Sequence, residues 1–111
     1  MDLSVVIPLY NESESIDELN NSINNILNNS GLDYELIYVD DGSVDSSWEK
    51  IKDICKNQNK VSAYRFLKNY GKSMALSAGF KKSKGEIVIT MDADLQDDPN
   101  EILALYKMIN E

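Results

Sequence analysis

The run Leu3-Ser4-Val5-Val6-Ile7-Pro8-Leu9-Tyr10-Asn11-Glu12 changes character within a few residues, from a continuous apolar and β-branched stretch to a proline followed by aromatic and polar side chains. Unbroken apolar character over Leu3 to Ile7 predicts a strand covered on both faces, as strands of parallel sheets are. The same pattern recurs at Tyr34 to Val39, Val61 to Phe66 and Glu86 to Met91. Segments with helical spacing lie between these runs. Ile16, Leu19, Ile23, Ile26 and Leu27 form one apolar stripe, preceded by Ser15 with Glu18 in a capping-box arrangement. Ser46 and Glu49 repeat that arrangement before a stripe of Trp48, Ile51 and Cys55. Lys72 to Ser83 predicts a shorter helix whose small residues Ala75, Ala78 and Gly79 suit close packing on a sheet. Asp98 and Pro99 read as the cap and first position of a last helix with Ile102, Tyr106 and Ile109 inside. Strict alternation of strand and helix calls for right-handed crossovers and a three-layer α/β/α arrangement around a mostly parallel sheet.

The totals restrict the function. A chain of 111 residues with 42% hydrophobic content is expected to form one domain, residues 1–111, with a modest core. A net charge of −8 and no basic run argue against nucleic acid as a partner. The same charge repels a phosphorylated small molecule unless a divalent cation stands between the two. Cys55 has no partner for an intrachain disulfide and reads as a small buried side chain. The opening residues carry neither a basic leader nor a signal-type apolar stretch, and no segment reaches the roughly 20 apolar residues of a membrane span. The expectation is a soluble, cytoplasmic chain.

Ligands of such sheets bind beyond the carboxyl ends of the strands, near the point where strand order reverses. The first strand runs out into Pro8-Leu9-Tyr10-Asn11-Glu12, the second into Asp40-Asp41-Gly42-Ser43, and the fourth into Asp92-Ala93-Asp94-Leu95-Gln96-Asp97-Asp98. Two carboxylates one residue apart, as in Asp92-Ala93-Asp94, can turn toward one small volume where the chain leaves the pleat. Such oxygen ligands suit Mg²⁺ or Mn²⁺, and Gln96 adds a neutral oxygen. Asp97 and Asp98 read as caps of the next helix. Asp41 can accept hydrogen bonds from a base or ribose, or serve only as a turn residue before Gly42. Tyr10 can stack on a base. Glu12 can bond to a ligand, or simply favour the positive end of the following helix. Asn69-Tyr70-Gly71-Lys72-Ser73 lacks the first glycine of a phosphate loop, position 66 being Phe, yet Lys72 at a helix start can approach a phosphate or remain solvated.

The four segments Val5 to Glu12, Val39 to Asp45, Asn69 to Lys72 and Met91 to Gln96, in this order and spacing, resemble family 2 glycosyltransferases of the GT-A fold. The last two look most like the polyprenyl-phosphate branch, the dolichyl-phosphate mannosyltransferases and bactoprenol glucosyltransferases. The resemblance implies the Rossmann-like nucleotide-binding half of that fold. It places Pro8, Tyr10 and Glu12 in a base pocket, Val39 and Asp41 on base or ribose, and Asp92, Ala93, Asp94 and Gln96 on the metal and diphosphate. The implied reaction is inverting transfer of a hexose from a UDP-sugar or GDP-sugar to a polyprenyl-phosphate or glycan acceptor, and no catalytic base is identified.

Two features depart from the family pattern. Asp98 stands where the branch commonly has a second proline, and family catalytic domains run to roughly twice this length. The expectation is therefore a donor-binding fragment, inactive alone, with acceptor site and any membrane association carried by parts not in this chain. Apolar surface left uncovered by such a truncation gives room for a homo-oligomer. The alternative is a non-catalytic nucleotide-sugar-binding module. Haloacid-dehalogenase-type phosphatases also carry Asp-x-Asp after a strand, but near the chain start and followed by Thr or Val rather than Leu95. A receiver domain would need an acidic pair where this chain has Pro8-Leu9-Tyr10.

Overall fold

In the computed structural model, which describes residues 1–110, strands and helices alternate along the chain. They are β1 (Leu3–Leu9), α1 (Ile16–Asn28), β2 (Tyr34–Asp40), α2 (Ser47–Asn57), β3 (Val61–Arg65), α3 (Lys72–Lys82), β4 (Ile87–Thr90) and α4 (Asn100–Ile109). All strand pairs are parallel and the order across the sheet is β3-β2-β1-β4. The chain thus builds outward from β1 to β2 and β3, then returns to place β4 on the other side of β1. That return is the switch of direction at which a crevice opens.

Alternation along the strands divides the core in two. Leu3, Val5, Ile7 and Leu9 of β1, with Tyr34, Leu36 and Tyr38 of β2, pack against Ile16, Leu19, Ile23 and Leu27 of α1, Ile51 and Ile54 of α2, and Ile102 of α4. Each fully buried aliphatic side chain there contributes roughly 1.5–3 kcal/mol relative to exposure. Val6, Ile37 and Val39 point to the other face, where Ala75 of α3 covers them. Gly79 makes that cover close, since a Cβ at this position would run into the Val6 side chain. Pro8 falls beyond the last β1–β4 pair, Val6 with Thr90, and so occupies a place where the ladder toward β4 has already ended.

Asn20, Asn24 and Asn28 of α1 have a role that hydrophobic spacing does not disclose. Tyr38 is fully buried and its hydroxyl donates to Asn20 Oδ1 at 2.7 Å, while the Tyr34 hydroxyl lies 2.9 Å from Asn24 Oδ1 and 2.8 Å from Asn28 Oδ1. Burial pushes the Tyr38 phenol well above its ordinary pKa.

Several local expectations are corrected. Neither serine forms a side-chain cap. Asp45 Oδ1 instead accepts the Ser47 amide at 2.9 Å, an ionised acceptor displacing a neutral hydroxyl from the helix start. At α4 the Asp98 carboxylate caps the Asn100 amide at 2.9 Å as expected, with the helix itself beginning one residue after Pro99. Ile109 is 60% exposed because α4 turns inward through Ile102, Leu103 and Tyr106. Cys55 is only half-buried, Ile54 taking the inner position beside it. Among the described residues no helix is long and apolar enough to cross a membrane.

Gly79→Val should lever α3 away from the sheet and lower stability by about 1–3 kcal/mol, the usual penalty for overpacking. A fall in the urea midpoint without a change in slope is the expected reading.

Candidate functional site

A cleft of about 270 Å³ opens at the carboxyl ends of the strands and is lined by Pro8, Leu9, Tyr10, Glu12, Asp41, Lys72, Ala75, Asp92, Ala93 and Asp94. It sits at the switch point between the ends of β1 and β4, with the start of α3 as its third wall. The structure therefore brings together Pro8, Tyr10, Glu12, Asp41, Lys72, Asp92, Ala93 and Asp94 from the residues nominated by sequence. Two nominated residues are not among its walls. Val39 is fully buried and committed to the core beneath α3. Its side chain packs against the sheet-facing side of α3 and does not line the cleft. Gln96 is exposed beyond the rim, and its amide donates to Asp94 Oδ1 at 3.1 Å. Leu9 and Ala75 were not nominated, because a strand end and a small packing residue carry no chemical signal.

The walls are cross-laced. Asn11, in the left-handed region at φ 53°, donates its amide to Ser43 Oγ at 2.8 Å and accepts the Val44 amide on Oδ1 at 2.9 Å. Asp45 Oδ2 accepts the Ser13 amide at 3.3 Å. Burial works against ionised Asp45, but hydrogen bonds from Ser47 and Ser13 outweigh it and hold this carboxyl below its usual range. The Ser15 hydroxyl donates to the Ala93 carbonyl at 2.5 Å, tying the Asp92–Asp94 segment to the start of α1. Leu95 then turns the chain at φ 64°, a left-handed conformation unfavourable for leucine that persists only where its surroundings enforce it.

Asp41 joins the cleft to α3. It is 5% exposed, its Oδ1 accepts the Tyr70 amide at 2.8 Å, and its Oδ2 accepts the Gly71 amide at 3.0 Å. Gly42, at φ 79°, lets the chain pass against the backbone of Lys68, where a Cβ would collide with the Lys68 carbonyl carbon. The neighbouring Asp40 is fully buried outside the cleft walls, and its Oδ1 accepts the Ser43 amide at 2.9 Å.

Charge in the cleft is one-sided, with Glu12, Asp41, Asp92 and Asp94 facing the single cation Lys72. Lys72 Nζ lies 2.5 Å from Asp92 Oδ1. The hydrogen bond to Asp92 holds the lysine pKa above its ordinary value against the opposing effect of burial, with lesser help from the charges of Asp92, Asp94 and Asp97. This is a place that attracts a cation. Among the described residues no group of three or more His, Cys, Asp or Glu is placed to hold a metal ion by itself. Two carboxylates with open positions fit Mg²⁺ or Mn²⁺, which take one or two carboxylates and complete their shell with water and substrate phosphates.

Asp41→Ala should free the amides of Tyr70 and Gly71 and cost about 2–4 kcal/mol, the order expected for losing two hydrogen bonds to a buried charge. Faster hydrogen exchange at those two amides is the local check. The lowered Asp45 pKa contributes stability above the unfolded carboxyl value, and this is lost as pH falls through the folded value. Protection of the Ser13 and Ser47 amides, taken relative to the intrinsic exchange rate at each pH, should therefore fall on acidification below about pH 4, and Asp45→Asn should remove that pH dependence.

The model of the family described as glycosyl transferase family 2 matches residues 4–111. A dolichol-phosphate mannosyltransferase of Pyrococcus furiosus is 42% identical over 98% of this chain and 30% of its own length. An undecaprenyl-phosphate 4-deoxy-4-formamido-L-arabinose transferase of Edwardsiella ictaluri is 41% identical over 98% of this chain and 34% of its own. The chain thus spans about a third of the length of the curated relatives it matches. Among solved structures, glucosyl-3-phosphoglycerate synthase of Mycobacterium tuberculosis, in complex with Mn²⁺, UDP and glucosyl-3-phosphoglycerate, superposes with a TM-score of 0.76. That match is 27% identical and covers 97% of this chain and 39% of the other. With the sheet order and these likenesses in agreement, the chain belongs to glycosyl transferase family 2 and has the α/β architecture of the GT-A fold.

Proposed function

We propose that residues 1–111 form a single nucleotide-sugar-binding domain, the donor-binding part of a glycosyltransferase. The reaction is inverting transfer of a hexose from a UDP- or GDP-sugar, with Mg²⁺ or Mn²⁺, to a polyprenyl phosphate or glycan acceptor. The observation that carries this reading is the convergence of Tyr10, Glu12, Asp41, Lys72, Asp92 and Asp94 on one cleft at the switch point. Relatives named for transfer to dolichol phosphate and undecaprenyl phosphate, and a structural neighbour holding UDP and Mn²⁺, support it.

The residues divide the donor between them. The ring of Tyr10, 44% exposed, offers a stacking surface for the base. Glu12 and Asp41 accept hydrogen bonds from base or ribose, Asp41 through lone pairs not used by Tyr70 and Gly71. Lys72 and the start of α3 face the diphosphate. Asp92 and Asp94 would hold the cation, and Gln96, exposed just beyond the rim, would add an oxygen by turning its side chain inward. When bound, the cation neutralises the diphosphate and stabilises the charge that develops on it as it leaves. A phosphate acceptor is already ionised near neutral pH and needs little help from a base, so no residue of this cleft is assigned that task. The acceptor site and membrane attachment belong to the remainder of a longer protein at the cytoplasmic face, and this chain alone transfers nothing.

Calorimetric titration with UDP and with GDP, each with and without Mn²⁺, tests the reading. One nucleotide should bind only with metal, and Asp94→Ala should weaken that binding on the order of 10–100-fold or more, since loss even of indirect ligand support has effects of this size. Failure of both nucleotides to bind the folded chain, or binding indifferent to Asp94→Ala, would overturn it.

A further inference from the structure

The one cation of the cleft stands where the divalent ion would bind. Lys72 Nζ is 2.5 Å from Asp92 Oδ1, so the ammonium already pairs with one of the carboxylates that the proposed metal site uses. A Mg²⁺ ion bonded to Asp92 at about 2.0–2.1 Å, or Mn²⁺ at a similarly close approach, would lie within a few Å of the ammonium, and the two cations repel each other there. That repulsion favours departure of the lysine, the cation with a flexible stem. We propose that Lys72 is a place-holder for the metal: it pairs with Asp92 while the cleft is empty and moves onto the donor's diphosphate when the cation enters, so that metal and nucleotide bind cooperatively. This inference rests on the metal-dependent donor site proposed above.

Three features of the structure favour such an exchange. The Lys72 side chain is 59% exposed, and its only ion pair among the described residues is with Asp92, so the ammonium can swing on its flexible stem without disturbing the core. Its backbone is fixed, because Lys72 opens α3 directly after Gly71, whose amide is held by Asp41. The swing therefore starts from a defined point. Finally, the first helical bond of α3 runs from the Ala75 amide to the Gly71 carbonyl, which leaves the amides of Lys72, Ser73 and Met74 without helical acceptors. The first turn of α3 carries no acidic residue and no side-chain cap. An anionic group arriving beside Lys72 meets donors rather than carboxylates on that wall.

The coupling has a direction. Metal alone competes with the ammonium for the charge of Asp92 and is repelled by it, which weakens its binding. Nucleotide alone brings a diphosphate against Glu12, Asp41, Asp92 and Asp94. Together, each removes the other's obstacle, and by linkage the factor by which nucleotide tightens metal equals the factor by which metal tightens nucleotide.

The decisive experiment follows free Mn²⁺ by its electron paramagnetic resonance signal, with and without UDP and GDP, in the wild-type chain, Lys72→Met and Asp94→Ala. In wild type, the nucleotide should tighten Mn²⁺ binding. Lys72→Met should bind Mn²⁺ alone roughly tenfold more tightly, the scale set by removing a unit charge from a few Å of a dication in partly hydrated surroundings, and should show a smaller nucleotide effect. Equal Mn²⁺ affinity of Lys72→Met and wild type without nucleotide would overturn the place-holder, even if Asp94→Ala still abolished nucleotide-dependent binding. Loss of that Asp94 dependence, or no Mn²⁺ binding by any form with either nucleotide, would instead remove the donor-site reading and this inference with it.

Discussion

Parallel strands cannot be joined by tight turns, and a chain that first grows its sheet to one side of β1 must cross the whole sheet to add β4 on the other. α3 makes that crossing, and everything at the cleft depends on how closely it lies. Gly79 over Val6 and the buried Ala75 bring its axis down onto β1 and β2. The start of the helix is thereby delivered to the carboxyl ends of the same strands, beside Pro8 and Asp41. A bulkier contact surface on α3 would raise Lys72 away from Asp92 as surely as a change in either charged residue. Packing on the apolar face and geometry at the polar rim are one constraint, because a single short helix carries both.

The order of elements was legible because parallel strands are apolar on both sides and helices keep their stripes apart, so the two periodicities seldom compete. The cleft was largely legible for a related reason: residues at the carboxyl ends of β1, β2 and β4 are brought to one rim by the topology itself. What escaped was decided by direction or by competition between donors. Val39 and Asp41 are two residues apart, yet Val39 is still inside the strand and points under α3, whereas Asp41 has left it. Ser15 carried a helix-start pattern, but a carbonyl from Ala93, far away in sequence, took its hydroxyl. Ser46 was outcompeted by the charged neighbour Asp45. Sequence spacing names the groups available to a helix start; only the fold shows which others reach it. The asparagines of α1 show the converse, since buried phenols of β2 account for residues that the apolar stripe leaves unexplained.

The acidic cleft is best understood through its imbalance. Four carboxylates around one lysine are tolerated in the empty chain because the groups are not equivalent. Asp41 is buried and its charge is spread over two backbone amides, which makes it part of the scaffold. Asp94 is exposed and solvated, and Asp92, intermediate in exposure, shares its charge with Lys72. Hydration and one ion pair thus carry the load that a cation carries in the proposed loaded state, and neither requires a deep pocket.

Asp41 also links the two ends of the cleft mechanically. A carboxylate offers about four acceptor positions, and the amides of Tyr70 and Gly71 use two of them, one on each oxygen. A ligand donor that approaches the remaining lone pairs leaves the loop before α3 in place. A ligand donor that displaces either amide releases the segment on which Lys72 is mounted. Substitution by asparagine preserves the shape but replaces one acceptor oxygen with a donor, so one of the two amides must let go. The carboxylate anchors the helix start, and under the proposed reading it would also serve as a rim acceptor, so a substitution that alters one role alters the other.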